Sequence, residues 1–159
     1  MRYIKSWLLT IILTIFLTGI LGYLISQLQA AEEVPLPSDV NILPPSPDLP
    51  KEIASFSGKW AGTWIWLRSP RAALLIVEEI DKQEAKIIYA VGPYGRSKGE
   101  YIRIKAKVIP GSPARIEFFN TETKSDITFE MRKNLKSLAV FFISGRTSEK
   151  NSTVFERVD

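Results

Sequence analysis

The chain has 159 residues, a net charge of +4, 45% apolar and 24% charged residues, which leaves room for one globular domain once its apolar N-terminal stretch is set aside. It contains no cysteine and no histidine. That inventory excludes disulfides, an acylated N-terminal cysteine, thiol nucleophiles, zinc sites of the usual kind, and Ser-His-Asp or Cys-His catalysis.

Residues 7–25 carry no charge, Arg2 and Lys5 precede them, and Glu32 and Glu33 follow. As a helix, this run would reach about 28 Å, close to the roughly 30 Å of a bilayer's hydrocarbon core. The charge bias predicts a cytoplasmic N-terminus and an extracytoplasmic remainder, periplasmic or at the cell exterior. Residues 1–31 are therefore expected to be a signal peptide or an N-terminal membrane anchor. The run exceeds the usual apolar region of a signal peptide, and cleavage after Ala30 would place the bulky Leu28 at the third position before the cut. Both points favour the anchor; a secreted, cleaved form is the alternative.

Residues 32–55 carry six of the ten prolines and a net charge of −4 up to position 54. Proline fixes φ and removes a backbone donor, so the expectation is an extended, polyproline-like linker holding the following domain clear of the membrane.

From residue 56 the pattern changes to short β-branched and aromatic runs separated by turn residues. Eight strands are predicted, over 56–67, 72–80, 85–91, 101–109, 114–119, 127–131, 137–144 and 152–158. The fourth alternates most cleanly, with Ile102, Ile104, Ala106 and Val108 on one face and Arg103, Lys105 and Lys107 on the other. One wet face implies an antiparallel sheet. Hairpin-length links suggest an up-and-down meander, and closing it into a barrel removes both exposed edges. A sandwich of the same strands is the alternative. The expected class is all-β: an eight-stranded antiparallel up-and-down barrel over 56–159, after an N-terminal hydrophobic helix and a proline-rich linker.

The first strand places Phe56, Gly58, Trp60, Gly62, Trp64 and Trp66 on one face. Gly58-Lys59-Trp60 and Gly62-Thr63-Trp64 each resemble the Gly-x-Trp that opens the first barrel strand of lipocalins in the calycin superfamily. In that family an arginine of the last strand stacks on this tryptophan, a role the resemblance gives to Arg157. Together with the runs 75–81 and 87–92, these motifs resemble a small lipocalin-like domain of uncharacterised bacterial proteins. The chain departs from lipocalins in lacking their Thr-Asp-Tyr motif and in its short length, which argues against a roomy cavity. The resemblance implies barrel closure by Gly58, Trp60, Gly62 and Arg157. Such domains are sometimes found beside α/β-hydrolases, but this sequence shows no hydrolase segment, so no hydrolytic activity carries over.

Aromatic side chains able to stack on a sugar or an apolar ligand are Trp64, Trp66, Tyr89 and Tyr94, with packing of the barrel floor as the competing role. Tyr94 lies in the longest glycine-bearing loop, 92–99, which matches no phosphate-binding fingerprint but could cover a barrel mouth. The basic set Arg103, Lys105, Lys107 and Arg115 is either a solvated face or a contact for an anion or partner. Glu78 and Glu79 are adjacent, so on a regular strand they point to opposite faces. Asn151-Ser152-Thr153 fits a glycosylation acceptor. No metal or cofactor is implied, and an extracytoplasmic address removes nucleic acid as a partner. The expected function is a non-catalytic binding module displayed from the membrane, monomeric in its β domain, holding a small apolar ligand or an envelope protein. A purely structural envelope protein with a filled barrel is the alternative.

Overall fold

The computed structural model describes residues 34–66 and 69–158. The apolar run expected to enter the membrane lies outside them. Among the described residues no helix is long and apolar enough to cross a membrane.

Eight antiparallel strands follow one another around a closed barrel: β1 (Gly58–Trp66), β2 (Ser69–Ile80), β3 (Glu84–Val91), β4 (Glu100–Ile109), β5 (Arg115–Asn120), β6 (Ser125–Met131), β7 (Ser137–Ser144) and β8 (Lys150–Val158). Each pairs with its chain neighbours, and β8 returns to β1, which removes the sandwich alternative. Ser69, Pro70 and Arg71 form the start of β2 rather than a turn. Pro70 is tolerated there because it pairs with Ile65 of β1, whereas the ladder to β3 begins only at Ala73. Its missing donor therefore faces no strand.

The period of two set by the pleat sends Trp60, Leu75, Ile87, Val108, Ile116, Phe129, Val140 and Phe155 into one continuous core. One end of the barrel, the base, is sealed by a short helix, α1 (Lys51–Ala54). Its Ile53 and the following Phe56 are buried at 2% and 0% exposure, and Leu49 packs beside them. Trp60 donates its indole N–H to the Phe56 carbonyl at 2.8 Å, so the polar edge of a fully buried ring is satisfied at the seal.

The proline-rich segment does not stand off the domain as a spacer. Residues 34–43 run down the outside of the barrel from mouth to base as a strap. Val34 is buried with Leu74 and Ala90 on the outer wall. Leu43 donates its backbone N–H to the Glu78 carbonyl at 2.8 Å, and Ser57 donates its hydroxyl to the Leu43 carbonyl. The reason is chemical complementarity: the outer faces of β2 and β3 carry Leu74, Ile76, Ile88 and Ala90, too apolar to leave in water.

The strap is pinned at a bulge. The β2–β3 register slips between Val77 and Glu79, so Glu78 and Glu79 do not point to opposite faces; both lie outside the barrel. Glu79 meets Lys86 at 3.2 Å. Glu78 turns under the strap, where its side chain is only 3% exposed. It accepts from the Asn41 backbone N–H at 3.2 Å and from Arg103 Nη2 at 3.1 Å. Its second oxygen lies 3.1 Å from Arg103 Nε without hydrogen-bond alignment, a contact held by charge. Arg103 also grips Asp39 of the strap, donating from Nη1 to Oδ2 at 2.9 Å and from Nη2 to Oδ1 at 3.0 Å.

Candidate ligand-binding site

At the end opposite α1 the barrel is not filled. The ladder between β4 and β5 spans only three pairs, from Lys107–Glu117 to Ile109–Arg115, so the mouth-side halves of these strands lack the hydrogen bonds that would draw them together. Ile102 and Ile104 of β4 are correspondingly only half buried. A cavity of about 150 Å³ lies at this mouth. Its apolar wall includes Trp64, Trp66, Tyr89, Ile127 and Phe142, and its polar edge includes Arg71, Glu100 and Asn120. The volume falls short of the roughly 300–1,000 Å³ of drug-sized ligand sites but equals that of cavities known to accept a single benzene ring.

The aromatic wall is braced. Trp66 and Phe142 meet edge to face at 5.0 Å between centroids, and Trp64 lies 6.1 Å from Trp66. Trp64 donates its indole N–H to the Tyr89 hydroxyl oxygen at 2.7 Å. Burial, outweighing that donated bond and the nearby Arg71 charge, pushes the Tyr89 phenol well above its ordinary range. It stays a neutral hydroxyl at any physiological pH.

Arg71 follows the inward parity of Ala73, Leu75 and Val77, and Glu100 that of Ile102 and Ala106. Arg71 donates from Nε to the Gly92 carbonyl at 2.8 Å. Its Nη2 lies 3.7 Å from Glu100 Oε1, an ion pair too long for a hydrogen bond. Among the described residues this buried nitrogen has no hydrogen-bond partner.

Three of the four aromatics singled out in the sequence, Trp64, Trp66 and Tyr89, therefore share one cavity wall. Tyr94 does not line it. Its hydroxyl donates to the Trp66 carbonyl at 3.4 Å, and its backbone closes a tight turn with Ser97 around Gly95, whose φ of +58° suits glycine. Tyr94 thus ties the loop to the end of β1. Arg71, Glu100 and Phe142 escaped the sequence reading. The alternation of β2 and β4, extended one pair further toward the turns, would have placed both charges inward; Pro70 concealed this for Arg71.

Three of the four basic residues are paired with carboxylates of this chain. Arg103 holds Glu78 and Asp39, Lys105 meets Glu84 at 2.9 Å, and Arg115 meets Glu117 at 3.6 Å. Lys107 stands between the acidic positions Glu84 and Glu117 across its two neighbouring strands.

Gly58, Trp60, Gly62 and Arg157 meet at the β1–β8 seam. Trp60 and Arg157 are directly paired, as are Gly62 and Phe155. A methyl group on Gly62 would fall 2.1 Å from the Phe155 ring, and Gly58, at φ +118°, leaves room for the Arg157 guanidinium. The main-chain ladder of this seam spans only four pairs. Nearer the mouth, side chains complete it: Thr153 donates its hydroxyl to the Thr63 carbonyl at 2.7 Å, and Asn151 its amide to the Ile65 carbonyl at 2.9 Å. The amide that would accept a glycan is thus engaged in the seam. No group of three or more potential metal ligands occurs among the described residues.

A scan against protein-family models and a search of curated proteins both find no match to this chain.

Proposed function

We propose that the chain is a non-catalytic binding module, lipocalin-like in its barrel and displayed from a membrane on its extracytoplasmic side, that takes one small apolar ligand at the barrel mouth. The observation that carries this reading is the cavity walled by Trp64, Trp66, Tyr89 and Phe142, apolar except at its polar edge. Small-molecule sites have this composition, apolar walls with a few placed polar groups. The Gly-x-Trp strand with Arg157 over Trp60 supports the lipocalin likeness, and the charge-flanked run 7–25 supports the membrane address. A chain without histidine or cysteine also lacks the usual nucleophile–base pairs.

A second reading, a structural barrel without ligand, is favoured by the same cavity's small volume. Fluorine NMR of para-fluorobenzyl alcohol with the full chain separates the two. Ligand binding predicts line broadening that is lost when Ile102→Trp fills the cavity. An unbroadened line with the wild-type chain leaves the structural reading.

A further inference from the structure

We propose that the ligand taken at this mouth is an anion-headed aromatic or short-chain molecule, a monocarboxylate in its simplest form, with Arg71 as the residue that grips the head. This rests on the reading of the mouth cavity as a ligand site and adds the charge of its occupant. The guanidinium is an incomplete anion receptor. Nε is already fixed on the Gly92 carbonyl at 2.8 Å, which sets the orientation of the plane. Arg71 lines the cavity, and its buried Nη2 has no hydrogen-bond partner among the described residues. Its counter-charge among the described residues, Glu100, is 3.7 Å away with a side chain 53% exposed, whereas the Arg71 side chain is 18% exposed. Water screens the carboxylate far more than the guanidinium, so the inner end of this pair presents net positive character to the cavity. A guanidinium nitrogen has no acceptor capacity, so a ligand's oxygen, not its N–H, is what can complete it.

A second donor points the same way. Tyr89 accepts from Trp64 through its hydroxyl oxygen, and among the described residues its own proton has no acceptor. Burial holds the proton on the phenol, so Tyr89 remains a donor. Two unmatched donors, one cationic, thus belong to residues lining a pocket whose apolar wall is aromatic and aliphatic. A carboxylate would offer one oxygen to each, with an attached ring toward Trp64, Trp66 and Phe142. Among the described residues that line the cavity, the other charged groups are Glu100 and Glu122. Both are solvent-exposed carboxylates at the rim, where they would instead favour an amine if the rim dominated. The sign of the preferred ligand therefore reports whether the buried cation or the wet rim governs recognition.

The experiment measures affinities of the full chain for para-fluorobenzoate, para-fluorobenzyl alcohol and para-fluorobenzylamine by fluorine NMR. The benzoate should bind at least about tenfold more tightly than the alcohol, the difference made by one hydrogen-bonded charge. Arg71→Met should collapse the benzoate-to-alcohol ratio to near one. Glu100→Gln, which removes the competitor for Nη2 and leaves the fold's buried atoms intact, should raise that ratio further. Equal binding of benzoate and alcohol, a preference for the amine, or a ratio unmoved by both substitutions overturns the anionic head while leaving the cavity as an apolar site. Failure of all three probes to bind overturns the cavity reading itself, and this inference with it.

Discussion

The guanidinium of Arg157 sits 4.3 Å from the centroid of the Trp60 ring, and the two residues, nearly a hundred positions apart, face each other across the strands that close the barrel. The arginine also donates from Nη1 to the Ser57 carbonyl at 2.9 Å and from Nη2 to the Ser55 carbonyl. One side chain thereby joins the last strand, the first strand and the chain leaving the base helix. Trp60→Ala should cost about 3–5 kcal/mol, the usual loss for a buried tryptophan. Arg157→Ala should cost less, about 1–2 kcal/mol for the stacked cation and its charged hydrogen bonds. Urea melts of the single and double mutants should give non-additive losses, because either change removes the shared contact. Additivity would show that the stacking carries no energy.

Gly62 gives the seam a second, purely steric test. It faces Phe155, and a methyl group there would also sit 2.8 Å from the Val154 carbonyl oxygen. Phe155 cannot swing away, since it is fully buried and packs edge-on against Phe129 and Trp64. Gly62→Ala should destabilise by about 1–3 kcal/mol, as overpacked cores do. Phe155→Leu introduced on top should recover part of that loss, although alone it is destabilising. A Gly62→Ala protein as stable as wild type in urea would show that β1 and β8 have slack at this point.

Gly58, Trp60 and Gly62 were legible in the sequence because alternation acts within one strand, where a period of two fixes the face, whereas Arg157 was set against Trp60 only by the resemblance to lipocalins. The same logic located all eight strands. It failed at three places where the cause is not local. Glu78 lies at a bulge that alternation cannot foresee, because the extra residue is set by pairing with β3. The prolines of 34–50 were read for what they exclude, a ladder or a helix interior, and not for the apolar outer wall of β2 and β3 that they cover. The mouth cavity depends on β4 and β5 separating beyond Lys107, a property of two strands at once. Trp64, Trp66 and Tyr89 were visible as aromatics; the Arg71 and Glu100 that complete their site were hidden behind a proline and a glycine loop.

Tyr89 should report on the cavity wall through pH. Its phenol is held above the ordinary 10.0 by burial, so the folded chain keeps the proton longer than the unfolded chain does. The resulting stability is complete below pH 10 and is lost as pH rises beyond it, because only the unfolded state ionises there. Tyr89→Phe removes this alkaline loss. It also strands the buried Trp64 N–H, which should cost about 1–3 kcal/mol at neutral pH. The stability curves of wild type and mutant should therefore converge at high pH in urea melts. Parallel curves would mean that Tyr89 is not the group responsible.

The strap should open in acid as Asp39, its carboxylate on Arg103, takes up a proton. Hydrogen bonding to Arg103, reinforced by its charge and opposed by partial burial, holds the Asp39 carboxyl below its ordinary 3.8. A depressed carboxylate stabilises the docked strap above pH 3.8 and loses that contribution as pH falls through its folded value. Hydrogen exchange at the Asn41 and Leu43 amides, which bond to the Glu78 side chain and carbonyl, reads docking directly. Protection of both should fall as pH drops below 4. Asp39→Asn should weaken protection modestly at neutral pH and flatten its dependence on acid, since Asp39 is 69% exposed and its pairing is screened. Arg103→Met should act far more strongly, because it leaves the buried Glu78 carboxylate without its cation. Neither change touches the barrel interior, so protection in β6 and β7 should hold while the strap amides exchange. Protection at Leu43 unchanged between neutral pH and pH 3, or undiminished by Arg103→Met, would mean that the apolar contact of Val34 with Leu74 and Ala90 holds the strap without help from these charges.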